Sequence, residues 1–249
     1  MDEHEKMFQT ITSVLLGQKL EGYKDYENWG LRSVAKMDKV KSNISDKIVY
    51  LPPFDFYQDI KSRVVEINEA YESVGKRKLS ENDLESLSLG NAAKKLKEIS
   101  ITTPDTIFGV NTNISECSIY YDAHTCFKTC GMNQTKGAFY SFWPRKSEYT
   151  IGCYYVFSSQ FCIKCYNSES LTRCFEVSDS NNCSDLFFSH NCENVRDSMF
   201  CFNAKNLKNA IGNVQLPLAK YKEIKAMFLK EIHERLKKDK TLDFDIFNF

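Results

Sequence analysis

Cys165, Cys174, Cys183, Cys192 and Cys201 stand nine residues apart, and no other feature of the chain restricts its fold as tightly. Written in nines from Cys165, the segment reads CYNSESLTR, CFEVSDSNN, CSDLFFSHN, CENVRDSMF, CFNAKNLKN. The third column holds Asn167, Glu176, Asp185, Asn194 and Asn203, the fourth Ser168, Val177, Leu186, Val195 and Ala204. The seventh column holds Leu171, Ser180, Ser189, Ser198 and Leu207, and its register continues backwards through Cys162 and Cys153 to Cys126 and Cys117. Nine of the ten cysteines thus occupy two of nine registers, and only Cys130 stands outside them. Such a period predicts stacked coils whose equivalent positions form ladders about 4.8 Å apart, the ordinary interstrand spacing.

The coil length follows from a second period. EVSDS at 176–180 and NVRDS at 194–198 are eighteen residues apart, which predicts a parallel β-solenoid of about 18 residues per coil in two similar halves. Cysteine is small, apolar and readily buried, so interior ladders are expected, Cys165–Cys183–Cys201 in one and Cys174–Cys192 in the other. Val, Leu and Ala fill the other inward columns. Asn and Asp belong at the tight turns, because they tolerate the left-handed conformation.

The rest of the chain has a helical period. Phe8, Ile11, Leu15 and Leu20 share one stripe, and Tyr221, Ile224, Phe228, Ile232 and Leu236 share another behind Pro217. Phe56, Ile60, Val64, Ile67, Tyr71 and Val74 predict one helix from Asp55 to Gly75, and Ser80 caps a further helical stretch. KIVYLPP predicts a short strand. The expected organisation is α+β: a helical region over 1–100, the solenoid over 101–216, and over 217–249 a capping helix with a short edge strand from TLDFDIFNF.

NCENVRDSMFCFNAKNLKNAIGNVQLPLAKYKEI, with SSQFCIKCYNSESLTRCFEVSDSNNCSD, resembles a loosely defined group of uncharacterised cysteine-repeat proteins of archaea and small-genome bacteria. VYLPPFDFYQDI resembles the segment that precedes the repeats in the archaeal members. The resemblance implies a β-solenoid closed by a helix and carries no known activity. The zinc-ribbon-like front of some relatives is absent, since the first hundred residues contain no cysteine.

Balanced charge, 33 basic against 33 acidic residues, argues against a partner held mainly by electrostatics, such as bulk nucleic acid or an anionic membrane. The opening residues fit neither a secretory signal nor a membrane span, so a soluble, cytoplasmic protein with reduced thiols is expected.

Four features are candidates for chemistry. Cys126 and Cys130 with Cys162 and Cys165 offer four thiolates to a zinc ion, although three of them are already explained by the nine-residue registers. Asp179, Asp185 and Asp197 recur as in calcium-binding rolls, without the glycines such rolls use. His124 near Cys126, and His190 near Cys192, offer a nucleophile and base, against which stands the burial of a laddered thiol. The aromatic run GAFYSFWPRKSEYTIGCYYVF places Tyr140, Phe142, Trp143, Arg145, Tyr149 and Tyr155 where the cysteine columns lapse, as for a ligand-binding surface. Strand alternation would instead turn half of these rings inward. The function expected first is a non-enzymatic structural or interaction module that presents its solenoid to a protein partner. Nucleic-acid or glycan binding through 139–157 comes second, and a carbohydrate-active β-helix enzyme third, by analogy of fold alone.

Overall fold

A computed structural model describes residues 2–248. The chain divides into two compact units, one of residues 1–35 with 108–249 and the other of 36–107. The first thirty-five residues therefore belong with the solenoid, and the helical front expected over 1–100 is not one body.

The large unit is built on a parallel β-solenoid, as the cysteine period requires. Its coil is twelve residues long, not eighteen. Cys162 pairs in register with Cys174, Cys165 with Val177, Phe175 with Phe187 and Ser118 with Cys130, always twelve apart. A left-handed residue recurs at every third position from Asn113 to Gly212, with φ between 45° and 76°. Twelve divided by three is four, so each coil has four sides. Each triplet has one side chain pointing inward, one outward and one at the left-handed bend.

This geometry explains the cysteine spacing. All periods that are multiples of three keep a residue inside, so nine, twelve and eighteen coexist in the sequence. A step of nine rises three quarters of a turn and carries the cysteine to the next inner wall. The sulfur then meets the carbonyl of the following cysteine. Cys165 Sγ donates to Cys174 O (3.6 Å), Cys174 to Cys183 O (3.8 Å), Cys183 to Cys192 O (3.6 Å) and Cys192 to Cys201 O (3.4 Å). The thiols form a staircase, and the expected straight ladder Cys165–Cys183–Cys201 is absent because Cys183 lies on the wall opposite Cys165 and Cys201, which share a column three coils apart. Stacked pairs do occur, Cys162 on Cys174 and Cys153 on Cys165. Where a wall carries Ser or Thr, the hydroxyl accepts from the amide twelve residues on, as in Cys192 N to Ser180 Oγ (3.0 Å) and Ser141 N to Thr129 Oγ1 (3.3 Å). Buried amides are thereby satisfied at positions that a sheet ladder does not reach.

One outward column is apolar from Phe127 onward: Phe127, Phe139, Ile151, Ile163, Phe175, Phe187, Met199 and Ile211 pair successively. Two helices cover it. The N-terminal helix (Glu3–Leu16) buries Phe8, Ile11 and Leu15, and the C-terminal helix (Leu218–Asp239) buries Tyr221, Ile232 and Leu236 in the same core. A column of eight large apolar side chains would otherwise face water, at about 2 kcal/mol each. The last helix therefore lies along the flank and does not cap the stack. The end is closed by a hairpin: Gly212 and Asn213 both adopt positive φ, Ala210 and Ile211 pair antiparallel with Gln215 and Val214, and the chain turns back. The Asn213 side chain accepts from Phe202 N (3.0 Å) and donates to Phe202 O (2.8 Å), filling the place of another coil's backbone.

Residues 242–246 form no strand, contrary to the alternation of TLDFDIFNF. Leu242 and Ile246 are buried instead against the unit, and Ile246 N donates to Glu176 Oε2 (3.2 Å).

The small unit carries an antiparallel pair, Asp38–Lys41 with Ile48–Leu51, over a core of Val49, Leu51 and Val64. The single helix expected over 55–75 is broken. Short helical turns at Asp55–Asp59 and Lys61–Arg63 precede extended Val64, which bridges to Thr102, before Ile67–Ser73 resumes. Ser80 caps Glu81–Glu85 as its sequence predicts, its side chain accepting from Asp83 N.

Candidate functional site

The side opposite the helix-covered column carries the opposite chemistry. Its outward residues are Asn133, Arg145, Phe157, Glu169, Asn181, Glu193 and Lys205, in register. Glu169, Asn181, Glu193 and Lys205 are exposed. Amide ladders border it, with Asn182 Nδ2 on Asn194 Oδ1 (2.7 Å), Asn194 on Asn206 (3.2 Å) and Asn191 on Asn203 (2.8 Å).

At one bend beside this face the column reads Gly131, Trp143, Tyr155, Asn167, Asp179. Trp143 lies on Gly131, where a Cβ would come within 2.7 Å of its ring, so glycine supplies both the positive φ and the space. Trp143 and Tyr155 stack at 5.9 Å and 14°, and the Arg145 guanidinium lies 4.4 Å over Trp143. Tyr155 also meets Tyr154 edge-on at 4.8 Å, and Tyr154 stacks on Phe142 at 5.3 Å. The stack ends at Asn167, which has no ring. Beyond it lies an open notch of about 460 Å³, lined by Tyr155, Phe157, Asn167, Glu169, Asp179 and Asn181 with the buried Ser168 and Ser180. Asp179 accepts from Asn167 Nδ2 (3.4 Å) and faces His190 Nδ1 (3.4 Å), which is also bonded to Ser178 Oγ (2.8 Å).

The six residues expected to bind a ligand are thus divided. Trp143, Arg145 and Tyr155 meet at this stack, with Phe142 buried behind them. Tyr140 is buried on another bend, its hydroxyl donating to Tyr23 O (2.7 Å). Tyr149 stacks on Phe161 at 4.4 Å on a third bend. None of these rings points inward, because two of every three residues face outward here, whereas a flat strand alternates. Glu169 was not singled out from the sequence, and Phe157, Asn167 and Asp179 were read there in other roles, as part of the aromatic run, a turn column and a calcium candidate. The period of twelve identifies them; the period of nine scatters them.

The four candidate zinc ligands do not converge. Cys126 and Cys162 lie three coils apart in one column, about 14 Å at the interstrand spacing. Cys130 occupies an outward position, in register with Phe142. Among the described residues no group of three or more His, Cys, Asp or Glu side chains is placed to hold a metal ion. All ten cysteines are buried thiols outside any disulfide. Burial pushes the Cys126 and Cys192 thiols up to about 12 and raises Cys165, Cys174 and Cys201, so the nucleophilic thiolate is suppressed. His124 is bonded to Thr112 Oγ1 (2.9 Å). Of the candidate calcium ligands, Asp185 is held by Arg173 through Nε (3.0 Å) and a terminal nitrogen (2.6 Å), and only Asp179 reaches the notch.

A second polar cluster is enclosed by the chain's two ends. Lys164 is fully buried and donates to Trp29 O (3.0 Å) and Arg32 O (2.5 Å). Glu176, one coil on in the same column, is also buried; among the described residues its Oε1 and the nearby Tyr166 hydroxyl have no hydrogen-bond partner. Burial drives Lys164 down and Glu176 up, each to about 8, against their mutual attraction. Nothing in the sequence marks this pair.

The chain is a β-solenoid protein with a helix-covered flank and an open polar flank. No protein-family model and no curated protein matches it.

Proposed function

We propose that this protein is a non-enzymatic binding module that presents the open flank of its solenoid to a protein partner. The supporting observation is the interrupted ring stack: Trp143 and Tyr155 are aligned at the surface and end in a notch bordered by in-register polar ladders. Rigid, parallel backbone holds these side chains at a fixed pitch, which lowers the ordering cost of binding. Glu169 and Asp179 at the notch disfavour a phosphate backbone. Both are exposed, whereas a glycoside hydrolase shelters its general acid from water, so binding is favoured over hydrolysis. The module works in a reducing compartment, where its thiols persist. Among the described residues no helix is long and apolar enough to cross a membrane.

Capture from host extract by immobilised protein tests the reading when wild type is compared with Asn181→Arg on the open flank and Lys208→Glu on an adjacent side. A specific partner should be lost with Asn181→Arg and kept with Lys208→Glu, with circular dichroism unchanged in both. Equal capture by Asn181→Arg and wild type would reject the open flank as the recognition surface.

A further inference from the structure

The notch has two kinds of wall. One is aromatic: the Tyr155 ring, last in its stack, with Phe157 beside it. The other is anionic: Glu169 and Asp179 on the next two coils, with Asn167 and Asn181 between them. Among the described residues Glu169 has no ionic partner within reach, and Asp179 meets only the Asn167 amide and His190, each at 3.4 Å. A neutral ring would satisfy the aromatic wall and leave two carboxylates without a counter-charge. An ammonium would satisfy the carboxylates and leave the ring face poorly covered. A planar cation suits both, because a guanidinium stacks on an aromatic face while its edge forks onto carboxylate oxygens.

Both halves of that contact already exist in this molecule. Arg145 lies 4.4 Å over Trp143 in the same stack. Arg173 grips Asp185 through two nitrogens at 3.0 and 2.6 Å, across one coil of the same solenoid.

We propose that the notch between Tyr155 and the Glu169–Asp179 carboxylates receives the guanidinium of an arginine carried by the protein partner, an assignment that rests on the open flank being the recognition surface. The arginine extends the interrupted stack by one layer, as Arg145 does at its other ring.

Titration of the full protein with acetyl-Gly-Arg-Gly-amide, followed by two-dimensional NMR, tests this. Saturable shifts are expected at Tyr155, Asn167 and Asp179. The citrulline peptide keeps the shape and removes the charge, and it should bind about tenfold more weakly. Glu169→Gln with Asp179→Asn should weaken the arginine peptide by about the same factor, with circular dichroism unchanged. Equal binding of the arginine and citrulline peptides, or no saturable shift, would overturn the proposal. So would tighter binding of a neutral oligosaccharide at the same residues, which would reassign the notch to a glycan. If the arginine peptide fails while Asn181→Arg still loses the captured partner, the flank reading stands without this one. If Asn181→Arg captures normally, the flank reading falls first.

Discussion

Two halves of one solenoid meet the same backbone demand by different means. Every third residue must adopt the left-handed conformation, which costs an ordinary L-residue about 1–2 kcal/mol. From Asn167 to Asn209, ten of fifteen such positions are Asn or Asp, residues that accept it locally. From Asn113 to Lys164, only Asn113 and Asp122 of eighteen are, while three are Gly and five are aromatic. The front half answers with packing: Tyr140 is anchored to Tyr23, Tyr149 stacks on Phe161, and Trp143 on Tyr155. One backbone can therefore be specified residue by residue or by its neighbours, and only the first way leaves a repeat to read.

Substitution of glycine should separate the two regimes most. Gly152 in the front half has Gly30 O and Lys164 Cδ 2.8 Å from where a Cβ would stand, while Gly212 in the rear has nothing within 4 Å. Gly152→Ala should lose about 3 kcal/mol in urea denaturation, and Gly212→Ala about 1 kcal/mol from backbone strain alone. Similar losses would mean that packing does not distinguish the halves.

The seam between them should be sensitive to pH. Glu176 ionises near 4.5 when unfolded and near 8 when buried, so the folded state holds its proton more tightly. Its contribution is present below pH 4.5 and fades as pH rises to 8. Lys164, lowered from 10.5, acts oppositely only above pH 8. Wild type should therefore lose about 3 kcal/mol between pH 5 and 8, and Glu176→Gln should flatten that slope. An equally steep slope in the variant would remove Glu176 as its source.

Exchanging the two strategies gives smaller effects. Tyr149→Asn gains a residue suited to the bend and loses the stack on Phe161, for an expected net loss of about 1 kcal/mol. A gain in stability would show that bend chemistry outweighs packing in the front as well. In the rear, Asn194→Ala should cost about 1 kcal/mol and Asn194→Gly almost nothing, by thermal denaturation.

The least response is expected from the thiols. Iodoacetamide at pH 8 should leave the native protein unlabelled in either half and modify the cysteines fully once denatured, read by mass spectrometry. Rapid native labelling of Cys192 or Cys201 would place them outside the wall.

How much was legible follows from the same contrast. The cysteine columns marked inward positions correctly from Cys153 to Cys201, and with Val177, Leu186, Val195 and Ala204 they identified the solenoid. They gave the wrong coil length because a triplet unit makes nine and eighteen as regular as twelve. The hydrogen bonds from thiol to the carbonyl nine residues on favour the very spacing that hides the coil. The flank-covering role of the last helix was illegible for a different reason. Phe127, Phe139, Ile151, Ile163, Phe175, Phe187, Met199 and Ile211 form an apolar stripe only when read in twelves. The helix expected over 55–75 failed because extended Val64 pairs with Thr102, a tertiary bridge that overrides a helical pattern. Half of the ring stack was visible as an aromatic run. Its carboxylate neighbours were not, being one and two coils away.

The four-sided coil also governs how the chain tolerates changes of length. Adding or deleting one triplet keeps every later cysteine within the wall and the backbone ladder closed, yet rotates everything downstream by a quarter turn. The greasy stripe would then slide out from beneath the helices while the core remained intact. Only a whole dozen leaves each face where it was, so this architecture can lengthen by layers but cannot drift by residues.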